Sequence, residues 1–365
     1  MKKEVISDKQ RLSLFILFII GTNVIMGTGL SAEQDVWLAI LLGMLLSLPI
    51  ILVYARLQSL FPTKNLFDII ETCFGKFIGK IVMIILTLFV FESIAQIIRN
   101  YGQFSVSVIL RVTPQVIIEL LLMTFCIWVV KEGIEVLGRW SQFFITPIIL
   151  ALLTTIFLLI VDMDINNIRP VFKNGMKSIL KGAFEAFSFP FTQTIAFTMV
   201  FSNFMNKKSV YGVYILGQLI GGIILFIIIL AIVLVLGINK SSILYYPFYD
   251  TIARINIADF FQRVEIVAGS IFLIGVFIKT SIFLMATCKG VAKIFDLNDY
   301  RSLVTPIGLL AVILSYIEFD SMFAYFDFGG TIWYFYAFPF QVLFPILILI
   351  VAEIRKRYMG KGVNE

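Results

Sequence analysis

Gly27, Thr28 and Gly29 interrupt the first long apolar run of the sequence, and Gly21, Thr22 and Asn23 lie one to two turns before them. Glycine costs a helix interior roughly 1 kcal/mol relative to alanine. Placed here, it unwinds the chain and frees backbone N–H and C=O groups. The chemistry such groups offer is ligand binding rather than bond breaking. A second polar cluster, Ser188, Pro190, Thr192, Gln193 and Thr194, interrupts the sixth apolar run. Pro190 removes a backbone donor and clashes with the carbonyl one turn back. Close helix packing explains either break alone. Breaks in both runs, each with its own polar cluster, favour a ligand site between them.

The third run carries a stripe of Glu92, Gln96, Asn100 and Gln103, with Arg99 beside it. Spacings of four, four and three hold the stripe on one helical face. At about 1.5 Å per residue from Lys80, Glu92 lies roughly 18 Å into a membrane. A charge at that depth costs about 2.5–3.5 kcal/mol. Glu92 must therefore face a cavity, find a partner or stay protonated, and either a site role or a neutral interhelical hydrogen bond satisfies that requirement. Lys279 is the second deep charge, about 15 Å from Lys289. It either snorkels to the surface or places its ammonium beside the first break, in the position of a bound cation, with Thr280 and Ser281 nearby. Glu185, Arg263 and Glu265 pair with one another or are solvated, and solvation is the simpler reading.

Other chemistries are poorly served. The sequence contains no histidine, which removes the usual proton shuttle and the commonest metal ligand. Cys73, Cys126 and Cys288 are isolated, so neither a disulfide framework nor a metal site is expected. There is no phosphate-binding GxxxxGK[ST] loop. The expectation is a protein that is not an enzyme, needs no cofactor and binds no nucleic acid.

The elements that must position these groups are membrane helices. The 365 residues are 60% hydrophobic and 14% charged, against roughly 25% charged in soluble domains. Ten apolar runs, 12–30, 36–57, 81–104, 114–130, 140–161, 182–204, 210–236, 264–287, 302–318 and 331–352, are each read as a span of the bilayer. The N-terminal segment is short and charged, without a small-residue cleavage site, and is not read as a removable signal. Loops and flanks on the N-terminal side hold 19 lysines and arginines against 9 opposite, so both termini are expected in the cytoplasm. Trp37, Trp128, Trp140 and Trp333 all fall near span ends, as an aromatic belt requires.

Ten spans divide into five and five, which inverts the second half relative to the first. The expectation is one membrane domain with a first repeat over about 12–161 and a second over about 182–352. The long connection 58–80 has its counterpart at 237–263, and each holds a short amphipathic piece, Leu66–Phe74 and Tyr249–Phe261.

Several segments together resemble the B subunits of bacterial spore nutrient-germination receptors. Phe61-Pro-Thr-Lys-Asn-Leu-Phe-Asp-Ile-Ile-Glu-Thr-Cys-Phe-Gly-Lys-Phe-Ile-Gly-Lys80 is similar to their first cytoplasmic loop. Arg111-Val-Thr-Pro114 and Gly133-Ile-Glu-Val-Leu-Gly-Arg139 are similar to the region of their fourth helix. Ile165-Asn-Asn-Ile-Arg-Pro-Val-Phe-Lys-Asn-Gly175 and Lys181-Gly-Ala-Phe-Glu185 resemble the lead into the sixth. Tyr246-Pro-Phe-Tyr249 and Phe261-Gln-Arg-Val-Glu265 resemble the loop into the eighth.

The resemblance covers nearly the whole chain. It implies the amino acid–polyamine–organocation superfamily and a LeuT-type fold: ten helices in a five-plus-five inverted repeat, with helices 1 and 6 broken. It also implies a subunit that detects a small nutrient germinant, often an amino acid, in the inner membrane of a spore, beside an A subunit and a lipoprotein C subunit. In related amino acid transporters a Gly-small-Gly motif receives the substrate carboxylate, and Gly27-Thr28-Gly29 matches it.

The ligand is therefore expected at Gly27, Thr28, Gly29, Glu92, Gln96, Ser188, Pro190 and Thr192. Carbonyls near Ser188–Pro190 would take an ammonium group, and Lys279, Thr280 and Ser281 would stand in for a cation. Phe184, Phe187 and Phe189 occupy places where small residues are expected, so the pocket is narrow or apolar on that side. An amino acid permease using the same site is the alternative function.

Overall fold

The computed structural model describes residues 5–255 and 265–361. Its helices, in chain order, are α1 Asp8–Ile20, α2 Asn23–Met26, α3 Val36–Leu60, α4 Leu66–Phe104, α5 Gln115–Glu132, α6 Ile134–Leu159, α7 Gly175–Ala186, α8 Ala196–Val200, α9 Lys207–Leu236, α10 Ile238–Ser241, α11 Pro247–Ile252, α12 Glu265–Ile294, α13 Val304–Ile317, α14 Met322–Thr331, α15 Trp333–Phe338 and α16 Phe344–Lys361. Short 3₁₀ and π turns join several of them, and no strand occurs among the described residues.

Among the described residues, seven helical segments are long and apolar enough to cross a membrane singly, or eight if α13 and α14, bent by 96° at their junction, form one span. The expected ten differ for local reasons. The run 114–130 becomes α5, which carries Glu119, Lys131 and Glu132. The run 182–204 is not one rod: α7 ends at Ala186, a π turn and a 3₁₀ turn carry the chain through Pro190, and α8 resumes at Ala196. The run 302–318 yields only the 14 residues of α13.

The first run is broken earlier than its glycine pair suggests. α1 stops at Ile20, with Gly21 in a non-helical conformation, and α2 contributes a single turn before Gly27. Gly27 and Gly29 take φ values of 68° and 74°, a region that only glycine enters cheaply. The amphipathic piece Leu66–Phe74 is helical and forms the first arm of α4, which kinks at Gly75. Asn65 caps it by accepting from the Asp68 amide at 3.1 Å. Lys293 ties that arm to the end of α12 through Asp68 at 2.9 Å and Glu71 at 2.6 Å. Of the counterpart piece, α11 covers the described beginning; Phe261 and Arg263 lie outside the described residues.

In hydrocarbon there is little hydrophobic drive between helices, so close approach at small residues carries the packing. α12 runs along α4, α9 along α1 and α3, and α7 along α3. A Cβ on Gly275 of α12 would lie 2.4 Å from the Cα of Gly21, and one on Gly43 of α3 would lie 2.7 Å from the Ala183 carbonyl of α7. A Cβ on Gly182 would meet the Gly29 carbonyl at 2.6 Å. Both broken segments are thus clamped backbone to backbone against intact helices. Gly275→Ala is expected to cost about 1–3 kcal/mol through overpacking. A thermal midpoint of the purified full-length protein that does not fall would contradict the backbone contact.

Candidate functional site

Where the two breaks meet, they enclose a cavity of about 390 Å³, a size usual for small-molecule sites. Gly27, Thr28 and Gly29 form part of one wall, and Phe189 and Gln193 come from the second break. Thr28 Oγ1 donates to the Phe189 carbonyl at 3.0 Å, so the breaks are joined directly. Among the described residues, the amides of Gly27, Thr28 and Gly29 donate no hydrogen bond. Three adjacent free donors in a cavity wall are a ready receptor for an anion.

Lys279 sits beside this wall. Its Nζ donates to Thr22 Oγ1 at 3.1 Å and lies 4.4 Å from the centre of the Phe189 ring and 5.0 Å from that of Phe18. The side chain is fully buried, so it does not snorkel. The first break, at Gly21 and Thr22, is where the ammonium comes to rest. Thr280 and Ser281 are equally buried and do not line the cavity.

α4 supplies the opposite polar wall through Ser93, Gln96 and Asn100. Glu92 stands behind Gln96 rather than in the wall. Gln96 Nε2 donates to Glu92 Oε1 at 3.1 Å and to Glu318 Oε1 at 2.7 Å, and the Tyr336 hydroxyl donates to Glu92 Oε2. Arg99 donates to the Phe319 carbonyl at 3.3 Å and stacks over Tyr316. The stripe is therefore both a cavity wall and a seam to the α13–α14 junction.

Ser188, Pro190 and Thr192 are buried behind the second break and line nothing. Thr192 Oγ1 lies 2.9 Å from the Phe187 carbonyl and 2.6 Å from Gln341 Oε1, the two acceptors within reach of its single proton, which secures the unwound turn. Phe189, between them, is the residue that reaches the cavity. Its ring and those of Trp333 and Tyr334 make the wall apolar on that side, as the phenylalanines of the sixth run imply.

Glu185 is not solvated. It is 7% exposed and lines the cavity together with Ser31 and Lys181. The two residues sit four apart on α7, a spacing that places both on one face. That spacing was visible in the sequence, but nothing there showed which way the face turned. Glu318 and Tyr336 had no sequence signal, and Trp333 carried only that of a span-end tryptophan, not of the cavity wall.

On the α1 side, beside Lys279, Phe18 and Phe15 pack on Phe197 with ring centres 5.0 and 4.9 Å apart. Below them Arg11, fully buried, donates to the Ser202 and Asn203 carbonyls at 3.0 and 3.1 Å and pairs with Asp8 at 2.9 Å. Tyr245 and Phe326, with ring centres 4.6 Å apart, line the cavity.

A family model described as spore germination protein matches residues 5–322. The chain belongs to the spore germination protein family. Among curated relatives it is 27% identical to spore germination protein KB of Bacillus subtilis over 369 residues, covering all of this chain and 99% of that protein. It is 24% identical to the putative spore germination protein YfkT of the same organism, over 91% of each chain.

Solved structures share the fold at low identity. Mhp1, a nucleobase-cation-symport-1 family transporter held closed with bromovinylhydantoin bound, matches with a TM-score of 0.70 at 10% identity, over 90% of this chain and 75% of that one. MhsT in complex with L-phenylalanine matches with 0.62 at 16% identity, over 96% and 99%. The family member described here is thus an integral membrane protein with a LeuT-type transporter fold and broken first and sixth helices.

Thr28→Val removes the bond that joins the breaks and is expected to cost about 1 kcal/mol. Thr280→Val removes a buried hydroxyl that has no partner and is expected to be neutral or stabilising. Thermal unfolding of the two variants side by side checks this; equal losses would sink the assignment.

Proposed function

We propose that this chain is the nutrient-sensing subunit of a spore germination receptor, and that the cavity between its two breaks binds a small germinant carrying both a carboxylate and an ammonium group. The observation that carries this reading is the row of free amides at Gly27, Thr28 and Gly29 in the same cavity as the Glu185 carboxylate. The amides suit the carboxylate and Glu185 suits the ammonium. Phe189 O, one of the carbonyls expected to serve the ammonium, already accepts from Thr28. The aromatic wall favours an amino acid with an apolar side chain.

Binding acts by differential affinity. A germinant that fits one arrangement of the broken helices better shifts the population towards it, by no more than that difference. Gln96 contacts the ligand, with Glu92 behind it. Ser188, Pro190 and Thr192 hold the second break in shape. Lys279, with Thr280 and Ser281 around it, occupies the place of a cation, so ligand binding is independent of sodium. The protein works as one domain of two inverted repeats in the spore inner membrane, with both termini cytoplasmic, beside an A subunit and a lipoprotein C subunit.

A permease is the second reading, supported by the likeness of the whole chain to substrate-bound transporters. Spores lacking the gene, challenged with single amino acids, sugars and nucleosides, separate the two. Loss of one nutrient response supports the sensor. Intact responses, with accumulation of an amino acid by proteoliposomes of the isolated protein, support the permease.

Glu185→Gln is expected to raise the half-maximal germinant concentration about 10- to 100-fold, as for a lost charge-assisted hydrogen bond. An unchanged concentration would remove Glu185 from the site. Binding that requires sodium would remove Lys279 from its proposed role.

A further inference from the structure

Glu92 of α4 and Glu318, at the junction of α13 and α14, are brought together although 226 positions apart in sequence. One amide, Gln96 Nε2, spends both its hydrogens on them, at 3.1 and 2.7 Å. Tyr336 of α15 donates to the second oxygen of Glu92. The second oxygen of Glu318 is buried and receives no donor, and the shared Gln96 amide holds the two carboxyl groups side by side. Ionised carboxylates only accept. A hydrogen bond between them therefore requires a proton, and one proton relieves the repulsion of two adjacent half-buried carboxylates.

The other groups facing the pair do not supply that proton's charge. Arg99, on α4, is engaged with the Phe319 carbonyl and the Tyr316 ring. Tyr325 of α14 and Tyr336 of α15 are neutral phenols. Glu119 of α5, across α13, donates no charge of the needed sign and is held by Gln115 and Ser315. α12 has no charged residue between Glu265 and Lys279, whose ammonium is held at Thr22.

The position is mechanically sensitive. The pair sits where α13 and α14 bend by 96°, and α14 covers the cavity through Tyr325, Phe326 and Phe328. Gln96 itself belongs to the cavity wall. We propose that Glu92 and Glu318 share one proton, and that this proton docks the α13–α14 hinge onto α4 and so closes the cavity. Its loss leaves two like charges on the facing elements, and α14 swings away. The proposal concerns the hinge alone and holds for a sensor or a permease.

Gly329 of α14 lines the cavity, and a Cβ there meets nothing within 4 Å, so Gly329→Cys gives a thiol for labelling with a charged methanethiosulfonate. The full-length protein in nanodiscs is compared, pH by pH, with the same protein also carrying Glu318→Gln. The glutamine amide donates to Glu92 without a proton, which keeps the hinge docked, and the thiol's own ionisation cancels in the ratio. The ratio of labelling rates is expected near one at acidic pH, rising up to about tenfold per pH unit once the pair ionises. Infrared spectra should show a protonated carboxyl band that either Glu92→Gln or Glu318→Gln abolishes. A labelling ratio flat with pH, or a band absent from the parent protein or surviving in both single variants, overturns the proposal. Should Glu318→Gln fail to fold, Glu92→Gln provides the same comparison.

Discussion

A helix broken inside hydrocarbon leaves amides and carbonyls that water cannot satisfy, and the rest of this structure is organised around that debt. Part of it is met locally. Asn23 donates back to Ile19 at 2.9 Å across the first interruption, and Thr192 Oγ1 lies 2.9 Å from the Phe187 carbonyl across the second. Part is met by joining the breaks to each other through Thr28 and Phe189. What remains, the amides of Gly27 to Gly29, faces the cavity. Among the described residues, these three amides line the cavity without a protein acceptor.

Rigid neighbours are needed to hold such breaks in place. The contacts at Gly21 with Gly275, Gly43 with Ala183, and Gly29 with Gly182 leave no room even for a methyl group. The sidewalls are bound as firmly. The Tyr54 hydroxyl lies between the Thr192 and Gln341 carbonyls, and Gln58 donates to the Phe201 carbonyl at 2.7 Å, so α3 braces the second break and the far end of α8. The Arg11 contacts under the aromatic stack and the α13–α14 bend over the cavity are held instead by a few polar and ionic groups.

Charge placement follows the same economy. Surface ion pairs such as Lys80 with Asp296 at 2.8 Å sit beyond the apolar segments and contribute little by themselves. The buried charges are different. Lys279 rests on a hydroxyl and two rings, Arg11 on two carbonyls and a ring, and the half-buried Glu92 and Glu318 on one shared amide. Each of these joins segments far apart in sequence, which a surface pair rarely does.

The membrane class, the approximate ends of most helices and the existence of two breaks were legible in the sequence because they rest on local chemistry: apolar length, tryptophans at the ends, glycine and proline within runs. Gly27, Thr28, Gly29 and Gln96 were found for the same reason, since one turn or one helical face defines them. Other features were not local. The start of the first break at Gly21 depends on Gly275 pressing against it. Phe189 rather than Ser188 or Pro190 faces the cavity because the unwound turn rotates one residue inward. Glu185 turns into the cavity because α7 packs on α3 and the segment after Gly29, and Glu318 meets Glu92 only where α13 bends across α4. A periodic sequence states which residues share a face; which neighbour that face meets is decided by packing between elements hundreds of residues apart.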